Sequence, residues 1–344
     1  MDNAHGSKAE QREQHEPIAG RHSRESPVLK TSAFYQSGQH GNFRRQHSFR
    51  FLTPLQARPI IRLFHKSEGQ RVFMKHLYRT LTWPEARERA SEGAVIVIPV
   101  AAIEQHGYHL PIDVDNVLVE HVTEEAARRS NGRILTAPMI HYGFNEHNMG
   151  FPGTITVREY VFIDFCYDVA HSFVRQGFDR IVFVNGQGSN QMLCNLAARR
   201  INNTTRALAG AVAHWALAKD AVDRLRESEY PGGMAHACEF ETSLYMYLKP
   251  ELVEKDKMTR REAPSRVNQF VYDDLFGSGP VHMVNRWSRI SESGVEGDPL
   301  LATADKGKEF AECSIRNLVE FCRLFRQQPV PPERDFNYSN ERLD

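Results

Sequence analysis

No apolar run in these 344 residues approaches the ~20 residues that a membrane-spanning helix needs. Net charge is also missing, because 43 Lys and Arg balance 43 Asp and Glu. No global field therefore draws the chain to nucleic acid or to an anionic membrane. The five cysteines, Cys166, Cys194, Cys238, Cys313 and Cys322, are odd in number and have no CxxC spacing. That excludes a disulfide framework and a zinc knuckle, and makes a reducing cytoplasm the expected location. There is no internal repeat. What is present is ordinary: 41% hydrophobic and 25% charged residues, enough for one large domain or two small ones with a sizeable core.

Residues 1–73 stand apart. They hold 12 Lys or Arg, 6 Asp or Glu and 6 of the 16 histidines, with weak hydrophobic periodicity. No basic start followed by an apolar stretch marks a secretory signal. Five acids in the first 25 residues argue against an organelle transit peptide. The segment reads as a disordered, dispensable extension, with Met74 as a natural start. The organisation expected is an extension over 1–73, one domain over 74–328 and a tail over 329–344.

The domain alternates strand and helix patterns. Pro84 suits the first turn of a short helix. Ala94 to Val100 is continuously apolar, as in a parallel strand buried on both faces. Asn116 to Arg129 reads as a helix and Arg133 to Met139 as a second strand. Thr156 could cap a long helix with Phe162, Phe165, Val169 and Phe173 on its apolar face, ended by Gly177. Arg180 to Val184 and Ala207 to Ala213 read as further strands, and Asn190 to Ile201 as a helix between them. Phe240 to Leu248 is a strand or a helix, and Asp305 to Phe325 is a late amphipathic helix. This alternation predicts an α/β sheet with helices on both faces.

In such folds ligands gather at the carboxyl edge of the strands. The chemically rich segments fall there. Glu104 and His106, two residues apart, point to one side of an extended segment. Asp115 returns to the same edge after a turn through Pro111. Two carboxylates and an imidazole suit Zn²⁺ first, and also Mn²⁺ or Fe²⁺. A bridging carboxylate could serve two ions. Spacing alone reads more readily as a solvated loop than as a metal site.

The full set of motifs is more specific. Glu104-Gln105-His106-Gly107-Tyr108-His109-Leu110-Pro111, with Asp115 eleven residues after Glu104, resembles the signature of the creatininase (creatinine amidohydrolase) family. Phe151-Pro152-Gly153-Thr154-Ile155-Thr156 follows His147 as in that family. Asn185-Gly186-Gln187-Gly188-Ser189-Asn190 resembles its Asn-Gly-His-Gly-Gly-Asn loop. His236-Ala237-Cys238-Glu239-Phe240-Glu241-Thr242-Ser243 resembles its His-Ala-Gly-Glu-x-Glu-Thr-Ser. Gly294-Val295-Glu296-Gly297-Asp298-Pro299 matches its C-terminal segment. The resemblance spans about Leu77 to Phe325.

It implies a three-layer α/β/α sandwich with a mainly parallel sheet, a metal-dependent hydrolase of amide-like C–N bonds, and a homohexamer. By motif, Glu104 binds one ion, His106 the other, and Asp115 bridges them. Glu239 would supply a last ligand, His236 would transfer a proton to the leaving nitrogen, and Glu241 would orient a ligand. His109, His147, Gly188, Ser189, Trp215 and Cys238 are candidates for contact with a small-molecule substrate. For His109 a structural hydrogen bond is an equal alternative, and for Cys238 plain packing is the simpler one.

Two departures stand out. Gln187 replaces a metal-binding His, and its neutral carbonyl is a weaker ligand for Zn²⁺, so one or two ions are possible per chain. Cys238 replaces a glycine. Creatininase itself is not expected, because Gly232 and Gly233 stand where it has a Trp-Asp pair, and the pocket should lack that aromatic wall and carboxylate. The alternatives are a same-fold hydrolase of a lactone or cyclic ketone derived from a sugar or cyclitol, and a catalytically silent, metal-poor ligand-binding homologue.

Overall fold

The computed structural model describes residues 75–262, 268–332 and 334. The chain divides into two units, Met1–Glu68 and Gly69–Asp344. The expected extension over 1–73, the start at Met74 and most of the expected tail lie outside the described residues. All the described residues belong to the second unit.

Helix α1 (Trp83–Ser91) carries Pro84 in its first turn, and the Thr82 N–H donates to Glu85 Oε2 at 2.7 Å. Strand β1 (Val95–Val100) is buried along its whole length. Then come α2 (Val114–Arg129), β2 (Ile134–Thr136), α3 (Glu159–Arg175), β3 (Arg180–Asn185), α4 (Asn190–Thr204), β4 (Leu208–Ala213), α5 (Lys219–Leu225), β5 (Met234–His236), α6 (Glu239–Leu248), β6 (Glu296–Gly297) and α7 (Ala304–Gln327). The main sheet has the order β2-β1-β3-β4, and every pairing in it is parallel.

The unbroken apolar run of β1 follows from this burial. Val95 and Val97 pack with residues of α2, α6 and α7, while Ile96, Ile98 and Val100 pack with α3 and α4 on the other face. Two helical layers thus enclose the sheet, as expected. The order also reverses between β1 and β3. The chain leaves β1 to one side to make β2, then returns past it to make β3, which opens a crevice at their carboxyl ends.

Three expectations need correction. The second strand stops at Thr136 because Pro138 has no N–H for the ladder, and pairing resumes only as a single bridge between Val100 and Ile140. Helix α3 begins at Glu159, not at Thr156, whose hydroxyl instead accepts the Asn145 N–H at 3.0 Å. Its buried face is Phe162, Cys166, Ala170 and Phe173, and Phe165 is 54% exposed. The open choice at 240–248 resolves as a helix.

Candidate metal centre and its pocket

The loop after β1 is closed by the Glu104 N–H donating to Ile112 O at 3.0 Å, which delivers Asp115 to the first turn of α2. Gly186, at the end of β3, lies against that turn. A Cβ there would come within 2.8 Å of Asp115 O, so only glycine lets the loop approach. Glu104, His106 and Asp115 are thereby brought together, and all three are buried.

His106 fixes the chemistry. Its Nδ1 lies 3.2 Å from the Glu104 carbonyl oxygen, which can only accept, so Nδ1 carries the proton. Nε2 therefore presents a lone pair. That lone pair faces Asp115 Oδ1 at 3.3 Å and Glu241 Oε1 at 3.9 Å. His106 Nε2 and Asp115 Oδ2 have no hydrogen-bond partner among the described residues. Ligand atoms of His106, Asp115 and Glu241 all lie within 4.8 Å of one another. A buried lone pair facing two carboxylates is unfavourable unless a cation or a proton lies between them, and the donor set of one imidazole and two carboxylates fits a divalent ion. Burial raises the proton affinity of all three carboxyls. Glu104 is pushed up to about 8 by burial and then by Asp115, Asp115 goes well above its usual range by burial, and Glu241 is raised by burial. What the cluster lacks is positive charge.

Glu239 is not part of this cluster, contrary to the sequence expectation. Its carboxylate accepts from the Ser228 N–H (2.9 Å), the Glu227 N–H (3.2 Å) and Lys306 Nζ (2.5 Å). It is a buried structural anion. Glu241, expected only to orient a ligand, occupies the place instead. It is the third residue of α6 and reaches back to the helix start, where Oε2 accepts from the Cys238 N–H (3.4 Å) and Sγ (3.6 Å). Cys238 is fully buried at this cap, with its thiol proton affinity raised by burial, so it holds Glu241 rather than touching substrate.

Gln187 also departs from expectation. Its Oε1 accepts the Asn190 N–H at 2.9 Å, and its Nε2 donates to Glu104 Oε2 at 3.3 Å. The side-chain oxygen caps α4, and the amide hydrogens face the site.

His236 lies at the end of β5. Its Nε2 is 2.7 Å from the Gln105 carbonyl and so carries the proton, which leaves Nδ1 facing Glu104 Oε1 at 3.6 Å. Burial, and then His106, hold its basicity well below the usual histidine range. Gln105 was missed in the sequence, yet its side chain ties the site together. Nε2 donates to Asn148 Oδ1 (3.1 Å) and Gly294 O (2.9 Å), and Oε1 accepts the Gly107 N–H (2.8 Å). Nothing in the local pattern separates this glutamine from an exposed one.

A cavity of about 780 Å³ opens onto the cluster. His147, Gly188, Ser189 and Trp215 line it, and so are placed where substrate contact was expected. His109 turns away, with Nε2 3.0 Å from Thr242 Oγ1. The expectation that the pocket lacks an aromatic wall and a carboxylate is corrected. Trp287 sits with its ring centroid 4.1 Å from that of His236 and 4.7 Å from that of His147, and Asp273 also lines the cavity. Both come from the stretch before β6, which carries no periodic pattern.

A buried carboxylate–imidazole cluster at the switch point of a parallel α/β sheet, open to a cavity, defines the class: a hydrolase of the creatininase-like α/β/α kind. The family model described as "Creatininase: Creatinine amidohydrolase" matches residues 79–322, and the chain belongs to that family. It is 31% identical over 260 residues to a mycofactocin precursor peptide peptidase of Mycobacterium ulcerans, covering 73% of this chain and 88% of that protein. It is 27% identical over 265 residues to a 3-dehydro-scyllo-inosose hydrolase of Thermotoga maritima, covering 72% and 82%. A solved manganese creatininase superposes with a TM-score of 0.62 at 25% identity, over 75% of this chain and 100% of that one. Solved neighbours also include a Zn-Zn form, so a divalent metal is the family's cofactor. No helix among the described residues is long and apolar enough to cross a membrane.

Proposed function

We propose that this chain hydrolyses a non-peptide amide C–N bond in a small molecule, using a divalent ion held by His106, Asp115 and Glu241. The observation that carries the reading is the unprotonated Nε2 of His106 facing two buried carboxylates. A divalent cation bound there supplies positive charge that polarises a carbonyl and makes water acidic enough to attack near neutral pH. The protein's own part is positional. The Gln105 carbonyl fixes the His236 proton on Nε2, so Nδ1 is the atom open to take up a proton and return it to the leaving nitrogen, with the Glu104 carboxylate 3.6 Å away to offset the burial that lowers its basicity. Trp287 packs against the His236 ring and His147 against Trp287, and both line the cavity. Zn²⁺ is the first choice of ion, with Mn²⁺ or Fe²⁺ as alternatives. A homohexamer in the cytoplasm completes the proposal.

A second reading is the opening of a cyclic ketone or lactone derived from a sugar or cyclitol, supported by the similarity to the inosose hydrolase. Turnover of formamide, cyclic amide, lactone and cyclitol-ketone panels by metal-loaded protein separates the two. Activity on amides alone supports the first, and activity on the ring ketone or lactone alone refutes it. Asp115→Asn should abolish both metal binding and turnover; a fully active variant would refute the metal-dependent reading altogether.

A further inference from the structure

Two ions would need two ligand sets, one round His106 and one round Glu104. The first set is complete. The second set is interrupted at Gln187. The Asn190 N–H lies 3.2 Å from the Gln187 carbonyl oxygen and only 2.9 Å from the end of the Gln187 side chain; an amide NH₂ at that distance would set donor against donor, so the oxygen end faces the helix. The amide nitrogen is therefore the end that faces Glu104, 3.3 Å from Oε2. Asn148 Nδ2 donates to the same oxygen at 3.3 Å. Two amide groups thus occupy Glu104 Oε2, and an amide N–H presents hydrogens, not electrons, to a cation. Nor does His236 complete a second set. Ligand atoms of Glu104, His106 and His236 do lie within 4.8 Å of one another, but Asp115 is not in that group, and the single lone pair of His106 is already turned to Asp115 and Glu241, which leaves Glu104 and His236 Nδ1 as two ligands. Protein metal sites of this kind use at least three side-chain ligands.

We infer that each chain binds one divalent ion, at His106, Asp115 and Glu241, and that Gln187 closes the second position by hydrogen-bonding Glu104. The inference rests on the metal-hydrolase reading and narrows it. Glu104 then acts as a carboxylate anchored by Gln187 and Asn148 beside the ion. The asymmetry has a sequence cause, because one residue, Gln187, stands where the resembling loop has a histidine.

The test is metal stoichiometry of the full chain, by elemental analysis and titration calorimetry. Mn²⁺ is the probe, because the histidines of residues 1–73 hold it weakly. One equivalent per chain is expected, lost in Glu241→Gln and retained in His236→Asn. Gln187→His should raise the count to two. Two equivalents in the unmodified chain overturn the inference, as does loss of the ion in His236→Asn with retention in Glu241→Gln. The unmodified count stands by itself if Gln187→His does not fold. No bound ion at all would overturn the metal-hydrolase reading instead, so the two failures are distinguishable.

Discussion

Removing Lys306 should expose what Glu239 does. The Glu239 carboxylate is fully buried and is held by two backbone N–H groups and by Lys306 Nζ at 2.5 Å. Lys306 also reaches Glu227 at 2.7 Å and the Leu301 carbonyl at 2.8 Å. Lys306→Met keeps the volume and removes the charge, which leaves a buried carboxylate with no cation. Breaking one side of a buried pair costs about 3–5 kcal/mol. At about 2–4 °C per kcal/mol for a unit of this size, Tm should fall by roughly 6–20 °C. Glu239→Gln keeps the shape and removes the desolvated charge, so it should cost less. The double variant should be more stable than the sum of the singles requires, because the stranded anion is then gone. Thermal and urea unfolding give these numbers, and metal analysis runs in parallel. All three variants should keep their ion. Loss of metal in Glu239→Gln, with Tm unchanged in Lys306→Met, would refute the structural assignment and return Glu239 to the ligand set.

Trp287→Ala should raise KM about 10-fold, equivalent to ~1.4 kcal/mol, with metal content unchanged, because the ring walls the cavity beside His236; steady-state kinetics with an unchanged KM would count against that wall. Cys238→Ala should weaken metal binding by about 10-fold through loss of the Sγ–H bond to Glu241, while Cys238→Ser should largely retain it; complete loss of turnover at full metal loading would instead mark the thiol as a nucleophile. His214 is held down to about 3 by burial, against 6.5 when unfolded. The unfolded chain binds its proton first, so this contribution to stability is complete above about pH 6.5 and is lost as pH falls towards 3. By pH 5 the loss is roughly 2 kcal/mol. Urea unfolding at pH 7 and pH 5 should show that loss shrinking in His214→Gln, and an equal loss in both proteins would contradict the assignment.

The strands were legible because burial on both faces demands an unbroken apolar run, and β1 and β3 are such runs. The crevice followed from strands alternating with helices. Glu104, His106 and Asp115 were legible by motif, and His147, Gly188, Ser189 and Trp215 by their place after strands. Gln105, Trp287 and Asp273 were not. Gln105 acts through hydrogen bonds to Asn148, Thr154, His236 and Gly294, which meet it only in the folded chain. Trp287 lies in irregular structure, where no periodicity announces which side chains turn inward. The role of Gln187 needed the Asn190 N–H, a contact set by where α4 begins.

The exchange of Glu239 for Glu241 has a geometric cause. Residues two apart lie on one side of an extended segment and on nearly opposite sides of a helix. Glu104 and His106 are two apart in an extended loop, and both reach the site. Glu239 and Glu241 are also two apart, but they open α6, so at most one of them can face His106. The sequence left 240–248 open between strand and helix, and the ligand question turned on that choice. Once the segment is a helix, the cap decides between the two carboxylates. Cys238 binds the third residue of the helix, Glu241, and thereby points its free oxygen at His106, while Glu239 at the first position is turned toward Lys306. Replacing glycine by cysteine at this cap therefore bears on the metal site through Glu241, without the sulfur approaching substrate.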